Sequence, residues 1–256
     1  MGKFDGILIC SDYDGTLFYK EFIQSNVEAL QYFMDEGGMF TLCTGRRAKN
    51  APLDVMPNVP VVGMCGSEVY DLATGTQLER WTFGEEWRDL ARGFVDREDL
   101  DRIQFESDDG PHRYKVNDPA IYEFIDTYTG PIFKIIFLYK VLRTDPLLVP
   151  PEVREVCEGR CSVMSNGADE FEMVALGMDK GHGVRYLKKR TGAKLLICVG
   201  DYDGDISMLR AADIGYAVDN ASDYVKREAD RVTVHAREGV IRHILQDIEE
   251  EIRSEK

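Results

Sequence analysis

The chain has 256 residues, 44% of them hydrophobic, which is enough for one large domain or two modest ones and ample for a real core. Its 31 basic side chains face 46 acidic ones, a net charge of −15, and such a field argues against nucleic acid and anionic membrane as partners. An anionic substrate would therefore need positive charge concentrated at its site.

No stretch approaches the ~20 consecutive apolar residues of a membrane helix. The opening "MGKFDGILIC" carries an acidic residue and only a short apolar run, so it does not read as a signal peptide. Gly6 stands where a myristoylation signal needs Ser or Thr. Of six cysteines, Cys10, Cys43, Cys65 and Cys198 lie in or just after apolar runs, which fits buried, reduced thiols in a cytoplasmic protein. Cys157 and Cys161 have no second pair or nearby histidine to complete a zinc site.

In chain order, "GILICSD" reads as a strand and "EFIQSNVEALQYFMDEG" as a helix stopped at Gly37–Gly38. "MFTLCTG" and "VPVVGMCG" read as a second and third strand. "EVYDLATGTQLERW" reads as a hairpin turning near Ala73–Gly75. Fully apolar strands alternating with helices predict a parallel sheet covered on both faces. The rhythm then changes: "EEWRDLARGFVDRED" and "PAIYEFIDTY" are helical, while "RIQFES", "HRYKVN", "IFKIIFLYKV", "CSVMSN" and "EFEMVA" are strands around the helix "PPEVREVCEG". The first rhythm returns with "DKGHGVRYLKKRTG", "KLLICVGD", "DISMLRAAD", "IGYAVDN" and the elements to "EGVIRHILQDIEEEI". The fold class is thus α/β, a doubly wound parallel sheet in two pieces, residues 1–82 and 177–256, with an α+β module at 83–176 inserted between them.

Where the first strand runs out, "SDYDGTL" sets Asp12 and Asp14 two residues apart, so on extended backbone both carboxylates point the same way. Ligands in open α/β sheets bind beyond such strand ends. Converging carboxylates repel unless one is protonated or a cation lies between them, and a hard divalent ion such as Mg²⁺ suits oxygen ligands. A bare Asp-x-Asp is equally well a solvated turn; the apolar strand before it and the Gly-Thr after it favour a site. "TLCTGRR" ends the second strand with the Thr44 hydroxyl, the Gly45 backbone and the start of an expected helix, a cradle for phosphate with Arg46 beside it. Lys180 opens a helix directly after the inserted module, and "VGDYDGDISM" repeats the opening device with Asp201, Asp203 and Asp205. Acids at two strand ends of one sheet imply a shared metal site.

"DYDGT", "TGR", "DKG" and "GDYDGD", in this order, resemble the four motifs of the haloacid dehalogenase superfamily. The long insertion between the second and third resembles the cap of the Cof-like sugar-phosphate phosphatase branch. The resemblance implies a Mg²⁺-dependent phosphomonoester hydrolase acting on a small phosphorylated metabolite. Asp12 would be the nucleophile and Asp14 the general acid and base. Thr44, Gly45, Arg46 and Lys180 would hold the phosphoryl group. Asp12, the Asp14 backbone carbonyl, Asp201 and Asp205 would serve the metal. Two departures stand out: Gly204 where the family usually has Asn, and Cys65–Gly66–Ser67 where it usually has Asn-Gly-Ala. A phosphomutase of phosphomannomutase type would use the same two aspartates, but it must hold a bisphosphate, and the inserted module is mostly acidic or apolar. A catalytically silent binding module is the remaining alternative, and it would have no use for clustered like charges. Oligomeric state is not legible.

His112, His182, His235 and His243 sit apart from one another, and none pairs with an acid at metal spacing. Arg113 and Lys115 alternate onto one side of a strand, more simply a charged sheet edge than a substrate contact. Trp81 and Trp87 are expected to pack rather than bind.

Overall fold

The computed structural model describes residues 2–51, 55–143, 149–167 and 169–254. The chain divides into two compact units, Met1–Glu79 with Lys180–Lys256, and Arg80–Asp179.

The first unit is built on a five-stranded, all-parallel sheet. Its order is Arg231–Val232, Ile214–Ala217, Leu195–Gly200, Ile7–Ser11, Met39–Leu42. Every residue of Ile7–Ser11 is buried, as expected for a central strand covered on both faces, and Leu8, Ile9 and Cys10 have no exposed surface at all. Removing a large apolar side chain of this kind from water contributes about 1.5–3 kcal/mol. The helix Gln24–Asp35 packs with Val240–Ser254, and Lys180–Thr191 packs with Ile206–Ala211. One buried polar side chain ties the first pair together: Asn26 Oδ1 accepts the Ile241 N–H at 2.9 Å. The order of the sheet places the topological switch at Ile7–Ser11, whose neighbours are reached by connections running in opposite directions.

The second unit carries a five-stranded antiparallel sheet ordered Cys161–Gly167, Glu170–Ala175, Ile132–Tyr139, Leu100–Ser107, Gly110–Lys115. Alternate residues Ile103, Phe105, Ile135, Phe137, Phe171 and Met173 form its core with Trp87, Leu90 and Phe94 from the helical segment before it. The helix Pro119–Thr127 starts as its sequence dictates, with proline at the first position and Asp118 Oδ1 accepting from the Ala120 N–H at 2.9 Å. On the polar face, Lys134 donates to Glu172 at 2.6 Å, both side chains buried, and Arg113 donates to Gln104 at 2.5 Å. The expected α/β class therefore holds, with the antiparallel sheet forming a separate body. Trp87 packs in the core as expected.

Four local expectations are corrected. The first helix begins at Gln24, because Phe18–Tyr19 and Glu21–Phe22 pair as a tight hairpin turned by Lys20 at φ 62°. Among the described residues no α-helix follows Thr44–Arg46; a short 3₁₀ turn, Ala48–Asn50, stands there instead. The third strand, Val61–Gly63, pairs antiparallel with Glu68–Asp71 and touches the main sheet through a single parallel bridge, Cys43 to Val62. The helix expected over "EEWRDLARGFVDRED" covers only Glu86–Arg92, where Gly93 ends it. All six cysteines are free and buried, and the Cys157 and Cys161 thiols hydrogen-bond to each other. No helix among the described residues is long and apolar enough to cross a membrane.

Candidate active site

The two central strands of the first unit run side by side with Ser11 opposite Val199, so Asp12, directly after Ser11, and Asp201, just past Gly200, emerge together at one sheet end. The Asp12 N–H donates to Val199 O at 2.9 Å, which continues the ladder and anchors the carboxylate's backbone. Asp205 lies one short 3₁₀ turn beyond Asp201, and its Oδ2 accepts the backbone N–H groups of Asp201 and Tyr202, each at 3.0 Å. Oxygens from Asp12, Asp201 and Asp205 all lie within 4.8 Å of one another.

Lys180 reaches this trio from the start of the helix Lys180–Thr191. Its ammonium donates to Asp12 Oδ1 at 2.6 Å and Asp205 Oδ1 at 2.5 Å, with only 4% of the residue exposed. Burial works against that charge, but Asp12 and Asp205 more than offset it and hold the ammonium well above the usual lysine range. The carboxyls are raised as well, which for them favours the neutral form. Burial pushes Asp12 up to about 7 against the pull of Lys180, with Asp205 adding repulsion. Burial pushes Asp201 up to about 8, reinforced by Asp12 and Asp205. Three carboxylates against one ammonium leave two negative charges in a largely buried cluster. A divalent cation with a preference for oxygen is the group this donor set fits.

Glycine is required beside the cluster. Gly15 has φ +86°, and a Cβ there would lie 2.2 Å from Asp201 Oδ2. The turn that carries it is fixed by the Gly15 N–H donating to Phe18 O at 2.8 Å and by Asn220 Nδ2 donating to Gly15 O at 2.9 Å. Thr16 Oγ1 donates to Asp201 Oδ1 at 3.0 Å, so the hydroxyl of "DGT" orients an acid from the far end of the chain.

Asp14 stands apart from the trio. Its carboxylate is half exposed and receives both prongs of the Arg46 guanidinium, Nε to Oδ2 at 3.0 Å and Nη2 to Oδ1 at 2.8 Å. Thr44 is buried, its N–H donates to Val62 O at 2.9 Å, and its Oγ1 accepts the Arg46 N–H at 3.1 Å. Residues Thr44–Arg46 thus form a hydroxyl-closed turn with Gly45 at its centre, rather than the open end of a helix. Cys65 is buried next to Lys180, in a run of left-handed residues, Met64, Cys65 and Gly66, at φ 50°, 54° and 93°. Gly204 is buried inside the Asp203–Asp205 turn.

Thr16, Asn220 and Ser207, whose Oγ accepts the Gly181 N–H at 3.0 Å, are supports the sequence reading did not single out. Thr16 was within reach of it, since a buried threonine just after paired aspartates needs a partner. Asn220 carries no local signal.

An α/β core with acids converging at adjacent strand ends and a buried lysine among them is a site built to hold a divalent cation. The chain belongs to the haloacid dehalogenase-like hydrolases: the family pattern matches residues 9–86 and 93–245. It falls in the Cof-like branch, as the long insertion between its second and third motifs indicated. Its fold is similar to that of the phosphatase BT1666 from Bacteroides thetaiotaomicron, at 21% identity and TM-score 0.78 over 95% of each chain. It is also similar to BT4131, described as a subclass IIB sugar phosphatase, at 20% identity and TM-score 0.74 over 94% of this chain and 98% of that one. Phosphoglycolate phosphatase 2 of Saccharolobus solfataricus is 42% identical over 76 residues, 29% of this chain and 31% of that protein. The chain spans between 31% and 44% of the length of the curated relatives it matches, a chloroplastic endoribonuclease of Arabidopsis thaliana, 24% identical over 88% of this chain, among them.

Proposed function

We propose that the chain is a Mg²⁺-dependent phosphomonoester hydrolase that acts on a small phosphorylated metabolite, a sugar phosphate, through an aspartyl-phosphate on Asp12. The observation that carries this reading is the Lys180 ammonium shared by Asp12 and Asp205 inside a three-carboxylate cluster. Family membership and the sugar-phosphatase neighbour support it.

In this reading Asp12, Asp201 and Asp205, with the Asp14 backbone carbonyl, hold the metal ion. When bound, the ion neutralises the two excess charges and screens the incoming phosphate. Lys180 occupies Asp12 Oδ1, which leaves Oδ2 to attack phosphorus. As that bond forms, the phosphorus–ester oxygen bond breaks, and Asp14 gives its proton to the departing alkoxide. Asp14 then takes a proton from water as the water oxygen attacks phosphorus; the bond to Asp12 breaks, and inorganic phosphate leaves. Thr44, whose oxygen already accepts from Arg46, keeps its own O–H free to donate to a phosphoryl oxygen. Lys180 spreads charge off the transferring group, and electrostatics of this kind dominates phosphoryl transfer.

The test is a panel of sugar phosphates with phosphoglycolate, run with wild type and Asp12→Asn and with or without Mg²⁺. Metal-dependent release of phosphate that Asp12→Asn abolishes is the expected result. Isomerised ester without free phosphate would make the chain a mutase. Silence on the whole panel would leave a binding module.

A further inference from the structure

Arg46 was expected to hold phosphate, but its guanidinium is committed elsewhere. Both of its donating edges lie on the two oxygens of Asp14, at 3.0 and 2.8 Å, in the planar fork that only arginine can make. We propose that Arg46 is a positioning residue for proton transfer: it fixes the plane and rotamer of the Asp14 carboxyl so that the leaving oxygen, rather than the phosphate, depends on it. This inference rests on the phosphohydrolase reading above.

Three observations carry it. First, the pair is half exposed on both sides, and ion pairs of that exposure add little to stability, so stability does not account for it. Second, the Arg46 backbone is clamped at both ends. Its N–H donates to Thr44 Oγ1 at 3.1 Å, and its carbonyl accepts the Met64 N–H at 2.8 Å. Met64 and Cys65 reach that position through left-handed φ values of 50° and 54°, a conformation unfavourable for residues other than glycine. Strain of this kind persists where surrounding structure enforces it, and here its visible product is the placement of one arginine. Third, Asp14 has the opposite environment to Asp12. Asp12 is buried against Lys180, whereas the half-exposed Asp14 carboxylate is held by the two Arg46 nitrogens. Without the fork, a half-exposed aspartate on a turn would sample its rotamers freely.

The chemistry is consistent with a fork of this kind. When Asp14 carries the proton on one oxygen, the other oxygen still accepts from Arg46, and the O–H remains aimed. As the proton passes to the departing alkoxide, the second hydrogen bond closes again. An ester whose leaving group is stable as an anion does not need that proton. An alkyl ester does.

The experiment compares wild type, Arg46→Met and Arg46→Lys on 4-nitrophenyl phosphate and on glycerol phosphate, with inhibition by inorganic phosphate as a third reading. The expected result is a kcat loss on glycerol phosphate at least tenfold larger than the loss on 4-nitrophenyl phosphate. Inhibition by phosphate should stay within about threefold of wild type, below the ~1.4 kcal/mol that a tenfold change represents. Arg46→Lys should not rescue the alkyl ester, since an ammonium cannot bridge both oxygens. Equal losses on the two esters, or weakened inhibition by phosphate with a raised KM on both, would overturn the proposal and return Arg46 to phosphate binding while leaving the hydrolase intact. No release from either ester by wild type would overturn the hydrolase reading and this role with it.

Discussion

Raising the pH should tighten divalent-ion binding up to about pH 8, after which the gain should stop. In the metal-free cluster Asp12 is pushed up to about 7 and Asp201 to about 8, from an ordinary 3.8. Near pH ~5.5 both carboxyls therefore hold protons that the same residues in an unfolded chain have released, and a cation must displace them. Each displaced proton makes the apparent association constant rise about tenfold per pH unit, so the slope approaches about two decades per unit at its steepest. The sign for stability follows from the same shift. A carboxyl whose folded value is raised opposes folding once it must ionise, so metal-free stability should fall from about pH 4 to pH 8, by about 1.4 kcal/mol per pH unit for each proton retained. Added Mg²⁺ should restore stability at the alkaline end and do little at the acidic end. Titration calorimetry in two buffers of different ionisation enthalpy counts the protons directly. Equal affinity at about pH 6 and about pH 8, or no proton release at the lower value, would refute the claim that these carboxylates are the ligands.

Other perturbations have equally definite outcomes. Lys180→Met removes the one buried cation from the trio and should cost the metal-free protein about 3–5 kcal/mol in urea unfolding, with part of the loss recovered by Mg²⁺; an unchanged midpoint would contradict the charge balance. Gly15→Ala sets a methyl 2.2 Å from Asp201 Oδ2 at φ +86°, so divalent affinity should weaken on the order of 10–100-fold, and wild-type affinity would contradict the close approach. Asn26→Ala leaves the Ile241 N–H without its partner inside the interface of two helices, and thermal unfolding should register a loss of about 1–3 kcal/mol; no shift would mean that the interface relaxes to satisfy it.

The strand ends were legible because their signal is local. "GILIC" before Asp12 and "LLICV" before Gly200 and Asp201 announce buried parallel strands, and acids at such ends need a reason. Lys180 was legible only through motif order, since one lysine at a helix start carries no message by itself. Arg46 was placed in the right turn, but its pairing with Asp14 was not legible, because which oxygen a long side chain reaches is decided by tertiary placement, here with Met64 holding its carbonyl. The hairpin at Phe18–Phe22 was hidden for a similar reason, because Lys20 adopts a left-handed turn that glycine or asparagine more often signals. Asn220, more than two hundred residues from the glycine it supports, has no sequence-local trace.

The central claim is that Asp12 takes the phosphoryl group. Acid-quenching the protein within a single turnover of a sugar phosphate labelled on phosphorus tests it most directly. The account predicts acid-stable label on the wild-type chain, in a peptide containing Asp12, and none on Asp12→Asn. Label absent from a wild-type protein that is turning over, or retained by Asp12→Asn, would contradict it.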